Sequence, residues 1–352
     1  MATWKVIRRA LGRIPGRLLR REAWRDGPLK WRIACFGPER PRRFPSRVQI
    51  ESTSKCNLRC ATCPHARDAT QGVPGGRHLT ATVLGRMLDR LPRVPARVVL
   101  SGVGEPLVNP QFFALVDVLA ARKILCEFYT NGTLLTARTC REVLARPGIV
   151  GVTISCDGAR RETFEAARVG ARFDAWRGRV GEFLGEARRQ RRGTLRVGFN
   201  TVLSQRNAGE VAQILELALD LGVDDVFLLD PVPVDDFVAS LRPSDAVMDE
   251  LRRASFLRAA RARGLKVECL FRTPGGPPQS LPRCLQPWQY IFLGADGRVL
   301  PCCALFDSQT MPVMGNLLDQ DFRAIWHGPA YRLFRRTSAR GTNPLCSVCP
   351  YY

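Results

Sequence analysis

Short apolar runs alternate with longer segments of helical periodicity over most of the chain. The runs predict strands at Arg47–Glu51, Arg97–Ser101, Leu125–Thr130, Val150–Ser155, Thr194–Val202, Val226–Leu229 and Lys266–Phe271. Between them, apolar residues recur every three or four positions, which predicts helices over Ala81–Leu91, Pro110–Ala121, Thr136–Ala145, Ala175–Arg188 and Ala208–Leu221. This alternation predicts βα units and a parallel sheet. About six units favour a partial or full barrel over an open doubly wound sheet, with the site at the carboxyl ends of the strands.

The alternation stops after the segment Thr273–Pro278, and the remaining residues are rich in cysteine and turns. We therefore expect three parts: an N-terminal extension over 1–45, an α/β core over 46–272 and a separate small domain over 273–352. No internal repeat of 20–50 residues is visible.

The N-terminal extension is strongly basic. Residues 1–43 hold thirteen Lys and Arg against three acidic residues, within a chain of net charge +22. Ile7, Leu11, Ile14 and Leu18 recur at helical spacing among the arginines, and Pro15 should kink or divide that helix. The segment is either a helix packed on the core with a solvated basic face or an arm that contacts an anionic partner or a membrane surface.

The sequence shows no segment with the length and hydropathy of a membrane span. Its first residues also lack the apolar core and small-residue cleavage site of a secretory signal. We therefore expect a cytoplasmic protein without a transmembrane segment.

Thirteen cysteines are many for a chain in a reducing compartment, where metal ligation is more common than disulfides. Seven fall into two groups, Cys56, Cys60 and Cys63, then Cys284, Cys302, Cys346 and Cys349. Cys303 lies next to one of these groups, and its role stays open. Five others stand alone and are expected to be small buried hydrophobic residues: Cys35, Cys126, Cys140, Cys156 and Cys269.

The first group forms a Cys-x3-Cys-x2-Cys run directly after the first predicted strand. Three thiolates on one loop can hold one face of a cuboidal iron–sulfur cluster and leave the fourth iron open to another ligand. The alternatives are a zinc loop that lacks one ligand and a chance cluster of cysteines.

This cysteine run resembles that of the radical SAM superfamily. The next strand ends in Ser101-Gly-Val-Gly-Glu-Pro-Leu107, which is similar to the glycine-rich element that receives the methionyl amino group of S-adenosylmethionine (SAM) in that family. The endings Tyr129-Thr-Asn-Gly132 and Ile154-Ser-Cys-Asp-Gly158 resemble further signatures of the superfamily. One departure is Thr62, where the family often has an aromatic residue that contacts adenine.

The resemblance implies a partial (β/α)6 TIM-like barrel and a set of SAM contacts. Gly102 and Gly104 would let the backbone approach SAM closely, and Glu105 would balance its ammonium group. Ser155 would contact the carboxylate or ribose, Arg168 would bind the carboxylate, and Asn200 would reach the ribose. Ser155 and Asn200 are equally typical of turns and caps.

The second group resembles a SPASM or twitch domain, a small iron–sulfur module of the same superfamily. Twelve residues separate Cys284 from Gly297, and four more precede Cys302. Gly297 permits a hairpin between Ile291–Leu293 and Arg298–Leu300 that would bring the two cysteines together. With Cys346 and Cys349 they would hold one fully ligated [4Fe–4S] cluster, although the spacing also suits a four-cysteine zinc site.

The resemblance implies an enzyme that reductively cleaves SAM to a 5′-deoxyadenosyl radical and abstracts a substrate hydrogen. A second cluster that accepts an electron favours oxidation of a small polar metabolite, similar to a sugar or aminocyclitol. The alternatives are a maturase of a ribosomally made peptide, an RNA-modifying enzyme and a non-catalytic iron–sulfur or SAM-binding protein. An external one-electron donor of the flavodoxin or ferredoxin type would be a partner. The catalytic base stays unassigned: it could be His65, His78 or another residue.

Overall fold

The computed structural model describes residues 39, 41, 44–63, 77–190, 193–232, 236–271, 284–302, 311–347 and 349. The predicted helix within 3–24, the side chain of His65 and the cysteines Cys35 and Cys303 lie outside these residues.

Ten strands form one sheet in the order β10-β9-β8-β1-β2-β3-β4-β5-β6-β7. Their bounds are β1 Arg47–Ile50, β2 Arg97–Leu100, β3 Leu125–Thr130, β4 Ile149–Ser155, β5 Arg196–Val202, β6 Asp225–Leu229, β7 Lys266–Leu270, β8 Tyr290–Leu293, β9 Arg298–Leu300 and β10 Gly315–Asn316. All seven strands predicted for the core are present.

Strands β1 to β7 are parallel and follow one another in chain order across the sheet. A doubly wound sheet would reverse that order at a switch point, whereas sequential order is typical of a βα barrel. Within the described residues β7 and β10 are the edges of the sheet, so the barrel is partial. The fold class predicted from the sequence is confirmed.

The helices are α1 Ala81–Asp89, α2 Phe112–Ala121, α3 Ala137–Leu144, α4 Arg161–Ala167, α5 Phe173–Arg189, α6 Val211–Leu221, α7 Asp236–Leu241, α8 Asp245–Arg253, α9 Ser255–Ala262, α10 Gln286–Gln289, α11 Phe322–Trp326, α12 Pro329–Arg340 and α13 Pro344–Ser347. Helices α1 to α10 lie between successive strands, and α11 to α13 follow β10. Thr80 and Thr136 cap α1 and α3 through their hydroxyls. None of the helices in the described ranges is long and apolar enough to span a bilayer.

The two faces of the sheet differ in polarity. One face carries Ile50, Leu100 and Phe128, which are fully buried beneath the helices. On the other face Tyr129 pairs in register with Thr153, and Ser155 pairs with Asn200. These side chains are only partly buried or exposed. This face, the concave face of the partial barrel, therefore carries polar groups on β3, β4 and β5 beside the apolar Phe227 of β6.

The predicted hairpin is present as β8 and β9, and Gly297 adopts a left-handed φ of 85° in its turn. Strand β8 also pairs in parallel with β1, so the C-terminal part extends the sheet of the core. The domain boundaries at residues 45 and 272 stay predictions.

Candidate functional site

The first cysteine group lies on the loop that follows β1, at the carboxyl edge of the parallel sheet. Its start is held by two backbone hydrogen bonds, from Leu79 to Ser52 O (2.8 Å) and from Ser54 to Arg77 O (3.1 Å). The loop is therefore anchored before it reaches Cys56.

The loop after β2 packs directly against the cysteine loop. The Glu105 amide donates to Lys55 O over 2.9 Å. A Cβ added to Gly104 would lie less than 3.0 Å from the carbonyl oxygens of Thr53 and Lys55. At Gly102 the space for a Cβ is filled by the side chain of Glu51. Both glycines are thus required for close approach of the two loops.

The far side of the cysteine loop is held by the segment after α4 and by the end of β3. The Arg59 amide donates to Val169 O and the Ala61 amide to Ala167 O, each over 3.0 Å. The Asn57 side-chain oxygen accepts from Asn131 Nδ2 at 2.9 Å. Three neighbouring loops therefore define the conformation that presents the three thiols.

The sulfur atoms of this group accept hydrogen bonds. The Leu58 amide donates to Cys56 Sγ at 3.4 Å, and Arg168 Nη1 donates to Cys60 Sγ at 3.6 Å. Burial raises the pKa of the Cys56 thiol, and the positive charge of Arg168 opposes that rise. Donors aimed at sulfur and a nearby cation are typical of thiolates that ligate iron–sulfur clusters.

Three of the isolated cysteines lie beside backbone carbonyl oxygens. Their thiols donate to backbone carbonyl oxygens, from Cys126 to Glu127, from Cys140 to Leu135 and from Cys156 to Gly158. All three are buried, as predicted, and Cys269 is partly buried. Cys269 instead accepts a hydrogen bond from the Arg261 side chain, so hydrogen-bond direction alone does not separate structural thiols from cluster ligands. No disulfide joins any two cysteines in the described part of the chain.

Arg168 is placed by a buried ion pair. Its Nη2 lies 2.6 Å from Asp157 Oδ2, and both side chains are largely buried. Asp157 is fixed in turn by the Val202 amide, which donates to Oδ1 at 2.8 Å. The Arg168 Nε is buried and has no partner within the described residues. The predicted contact of Arg168 with the SAM carboxylate stays a prediction.

We expect Asp157→Asn to destabilise the fold by about 3–5 kcal/mol, because it leaves the buried Arg168 cation without its counter-charge. Urea unfolding measures this change. The matched control is Asp174→Asn, which breaks an exposed pair with Arg161 and should cost below about 1 kcal/mol. Equal losses in the two variants would contradict this account.

Glu105 is nearly completely buried and bridges the ends of β2 and β3. Its carboxylate accepts from the Leu107 amide (3.2 Å), the Thr130 hydroxyl (2.8 Å) and the Asn131 amide (2.7 Å). Burial raises the pKa of Glu105 to about 6, although these donors oppose the rise. The observed bonds give Glu105 a positioning role, and its predicted contact with the SAM ammonium stays a prediction.

Ser155 and Asn200 are register partners at the carboxyl ends of β4 and β5. Both are partly buried on the concave face, and among the described residues neither side chain has a hydrogen-bond partner. Their polar groups are therefore available to a ligand at this edge, and their predicted contacts with SAM stay predictions.

His78 follows the undescribed segment 64–76 and forms a bridge to the start of the cysteine loop. Its Nδ1 lies 2.9 Å from Thr53 Oγ1. Burial and the nearby Lys55 lower the pKa of His78. These contacts give His78 a structural role, and the catalytic base stays unassigned.

Sequence reasoning missed two residues that shape this site. Asp157 lies within the strand ending Ile154-Ser-Cys-Asp-Gly158, but nothing in its sequence position indicates that it pairs with Arg168. Asn57 lies between two cysteines and joins their loop to Asn131. Only the arrangement of the strand ends shows which partners these side chains meet.

The second cysteine group gathers around β9 and the end of the chain. Burial and the charges of the other three cysteines raise the pKa of Cys284 to about 12. Cys302, Cys346 and Cys349 are therefore near enough to Cys284 to act on its thiol electrostatically. Cys284 Sγ accepts from the Gln286 amide at 3.4 Å, and Cys346 Sγ lies 3.5 Å from Ser338 Oγ. This sulfur set also fits a cluster.

In the described ranges, no three His, Cys, Asp or Glu side chains are arranged to hold a single metal ion.

Two family models match the chain. Residues 50–218 match the radical SAM superfamily, and residues 284–350 match SPASM, an iron–sulfur cluster-binding domain. The first match contains Cys56, Cys60 and Cys63, and the second contains the four cysteines of the C-terminal group.

Among characterised proteins, the AdoMet-dependent heme synthase of Methanosarcina barkeri is 28% identical over 87% of this chain and 89% of its own length. The mycofactocin maturase MftC of Mycobacterium tuberculosis is 31% identical, over 52% of this chain and 44% of its own length. Among solved structures, SuiB of Streptococcus suis superposes with a TM-score of 0.69 at 17% identity, covering 99% of this chain and 81% of SuiB. The structural likeness concerns the fold.

Proposed function

Because the chain belongs to the radical SAM superfamily and carries a SPASM domain, we propose that it oxidises an organic substrate by hydrogen abstraction followed by electron transfer to a second cluster. Its cofactors are SAM, the [4Fe–4S] cluster that binds SAM and a second [4Fe–4S] cluster. When bound, they supply a 5′-deoxyadenosyl radical and a one-electron acceptor. An external donor of the flavodoxin or ferredoxin type would provide the initiating electron.

In this proposal Cys56, Cys60 and Cys63 ligate the first cluster. The second is ligated by Cys284, Cys302, Cys346 and Cys349. The positions of the two cysteine groups within the radical SAM and SPASM matches carry this assignment, and the hydrogen bonds to the sulfurs of Cys56, Cys60 and Cys284 agree with it.

A buried contact path between the two sites supports electron transfer. Cys302 packs against the apolar cluster that contains Tyr290. The Tyr290 hydroxyl donates to Gln49 Oε1 at 2.7 Å, and Gln49 Nε2 donates to Ser101 O at 3.0 Å. Ser101 directly precedes Gly102, in the proposed SAM loop. The Tyr290, Gln49 and Ser101 side chains of this path are buried, which suits the passage of an electron between the sites.

The polar concave face supports a small hydroxylated substrate such as a sugar or an aminocyclitol. Tyr129, Thr153 and Asn200 offer hydrogen-bonding groups there. In a net oxidation, the substrate C–H gives its hydrogen atom to the 5′-deoxyadenosyl radical. The cluster that Cys284, Cys302, Cys346 and Cys349 would hold could accept one electron from the remaining carbon radical, and the hydroxyl proton would pass to a base, which would leave a carbonyl.

A second candidate is a carboxylate-bearing tetrapyrrole. Three cations around the cysteine loop, Lys55, Arg59 and Arg77, are exposed and form no ion pair with the described residues. Such cations suit substrate carboxylates, and the heme synthase of M. barkeri is similar over most of the chain. Heme and its precursors are tetrapyrroles with carboxylate side chains.

Both candidates predict a product that has lost hydrogen, and mass spectrometry of reduced enzyme with SAM and each substrate class distinguishes them. Cys346→Ala should still form 5′-deoxyadenosine but should lose most of the oxidised product, because the carbon radical lacks its electron acceptor. Cys140→Ala is the matched control. An unchanged ratio of product to 5′-deoxyadenosine in Cys346→Ala would exclude the second cluster as acceptor, and turnover of only a peptide substrate would overturn both candidates.

A further inference from the structure

One face of α12 is completely buried although it is polar. Tyr331, Arg335 and Ser338 follow one another at i, i+4 and i+7, and each is at most 1% exposed. This face packs toward the second cysteine group and contains a cation that nothing in the proposed chemistry uses.

The Arg335 guanidinium is surrounded by neutral groups. Its Nε donates to Pro287 O at 2.9 Å, and its Nη1 donates to the carbonyls of Trp326 (2.6 Å) and Glu39 (3.2 Å). It stacks 4.0 Å from the Trp326 ring and 4.5 Å from the Tyr331 ring. Its Nη2 is buried without a partner in the described residues.

No carboxylate in the described ranges pairs with Arg335. The Glu39 backbone oxygen accepts from Arg335, but the Glu39 side chain pairs with the exposed Arg336 at 2.7 Å. Burial lowers the pKa of Arg335 to about 9, so the group still carries its charge at neutral pH. A buried cation without a counter-ion is strongly unfavourable. Within the described residues this charge is left unbalanced.

Two neighbours of Arg335 on α12, Tyr331 and Ser338, contact residues in or near the second cysteine group. On one side, Tyr331 donates to Leu300 O at 3.4 Å, two residues before Cys302. The phenol ring on which the Arg335 guanidinium stacks therefore reaches the strand end that precedes this proposed ligand.

On the other side, Ser338 Oγ lies 3.5 Å from Cys346 Sγ, one helical turn from Arg335. The carbonyl oxygen of Pro287 accepts from Arg335, and Pro287 lies three residues after Cys284. Three of the four proposed ligands are therefore joined to Arg335 through one intervening contact or a short stretch of chain.

We propose that Arg335 is the fixed counter-charge of the second cluster and that it raises the reduction potential of that cluster. A cluster held by four thiolates is anionic and gains a further negative charge on reduction. A buried cation stabilises the reduced form more than the oxidised form, because little solvent screens the interaction. Arg335 would thus make the cluster a better electron acceptor. This inference rests on the ligand set proposed above but not on the identity of the substrate.

The test is an EPR-monitored redox titration of the reconstituted full-length protein. Arg335→Met should make reduction of the second cluster at least tenfold less favourable, which corresponds to about 59 mV for one electron. Arg335→Lys keeps the charge and should stay close to the unsubstituted protein. Arg336→Met is the matched control, since it removes an exposed neighbouring cation. The first cluster should keep its potential throughout.

A purely structural Arg335 would give a different pattern. Both substitutions lose the stacking and most of the hydrogen bonds, so equal shifts in Arg335→Lys and Arg335→Met, or no shift in Arg335→Met, would overturn the proposal. The iron content of each variant shows whether it has lost the second cluster. Loss of the second cluster from Arg335→Met alone supports a need for charge, whereas equal loss from both variants overturns it. If Cys346→Ala kept both clusters, the ligand set itself would be wrong.

Discussion

Cys56→Ala is expected to abolish the formation of 5′-deoxyadenosine from SAM. The Cys56 sulfur accepts from the Leu58 amide on a loop that three neighbouring loops hold in place. Without this thiolate the first cluster loses one of only three protein ligands. The count should fall from about eight irons per chain toward about four, the number in one [4Fe–4S] cluster.

The control for this variant is Cys140→Ala. Cys140 is buried, and its thiol donates to Leu135 O, so it should not ligate iron. We expect it to retain both clusters and SAM cleavage. Undiminished 5′-deoxyadenosine formation by Cys56→Ala, measured by chromatography after anaerobic reduction, would contradict the assignment of the first cluster.

Gly104→Ala is expected to reduce SAM cleavage by about 100-fold or more, because a displacement of roughly 1 Å at a site can have that effect. The added methyl group would overlap the carbonyl oxygens of Thr53 and Lys55, which are backbone atoms and cannot rotate away. The loop after β2 must therefore move away from the cysteine loop. Both the rate of 5′-deoxyadenosine formation and SAM binding should suffer.

The matched control is Gly178→Ala, in the middle of α5. A Cβ there meets nothing within 4 Å, and alanine favours the helix by about 0.5–1 kcal/mol. The control should be fully active and slightly more stable. Normal activity in Gly104→Ala would show that the two loops do not need their observed close approach.

The core strands could be predicted closely because the local sequence determines both their apolar pattern and the residues at which they begin and end. Leu125–Thr130 matches β3 at both ends, and the predicted Thr194–Val202 differs from β5 by two residues. The helix predicted over Ala175–Arg188 is longer, at Phe173–Arg189, because the buried Phe173 joins its apolar face.

Short helices were the main omission. The helices α7, α8 and α9 fill the connection between β6 and β7, and each is nine residues or shorter. Each has only one or two buried side chains, so the apolar period is too short to recognise. Tertiary packing, not local pattern, defines them.

Sequence could predict which loops meet at the site but not how their side chains pair. Parallel strands in chain order bring the ends of β1, β2 and β3 together, which places Glu105 near the cysteine loop. Glu105 accepts from Thr130 and Asn131 because of the exact register of β3 against β2, which the sequence does not reveal. The same holds for Arg168, whose partner Asp157 lies on a different loop.

EPR spectroscopy of the reduced enzyme, with and without SAM, tests the central claim most directly. Two [4Fe–4S] clusters should give two signals, and SAM should change only one of them. That signal should be absent from Cys56→Ala and retained in Cys346→Ala, because in the proposed ligand sets only the first cluster has an iron without a protein ligand. A SAM-insensitive spectrum, or a SAM response that persists in Cys56→Ala, would contradict the account.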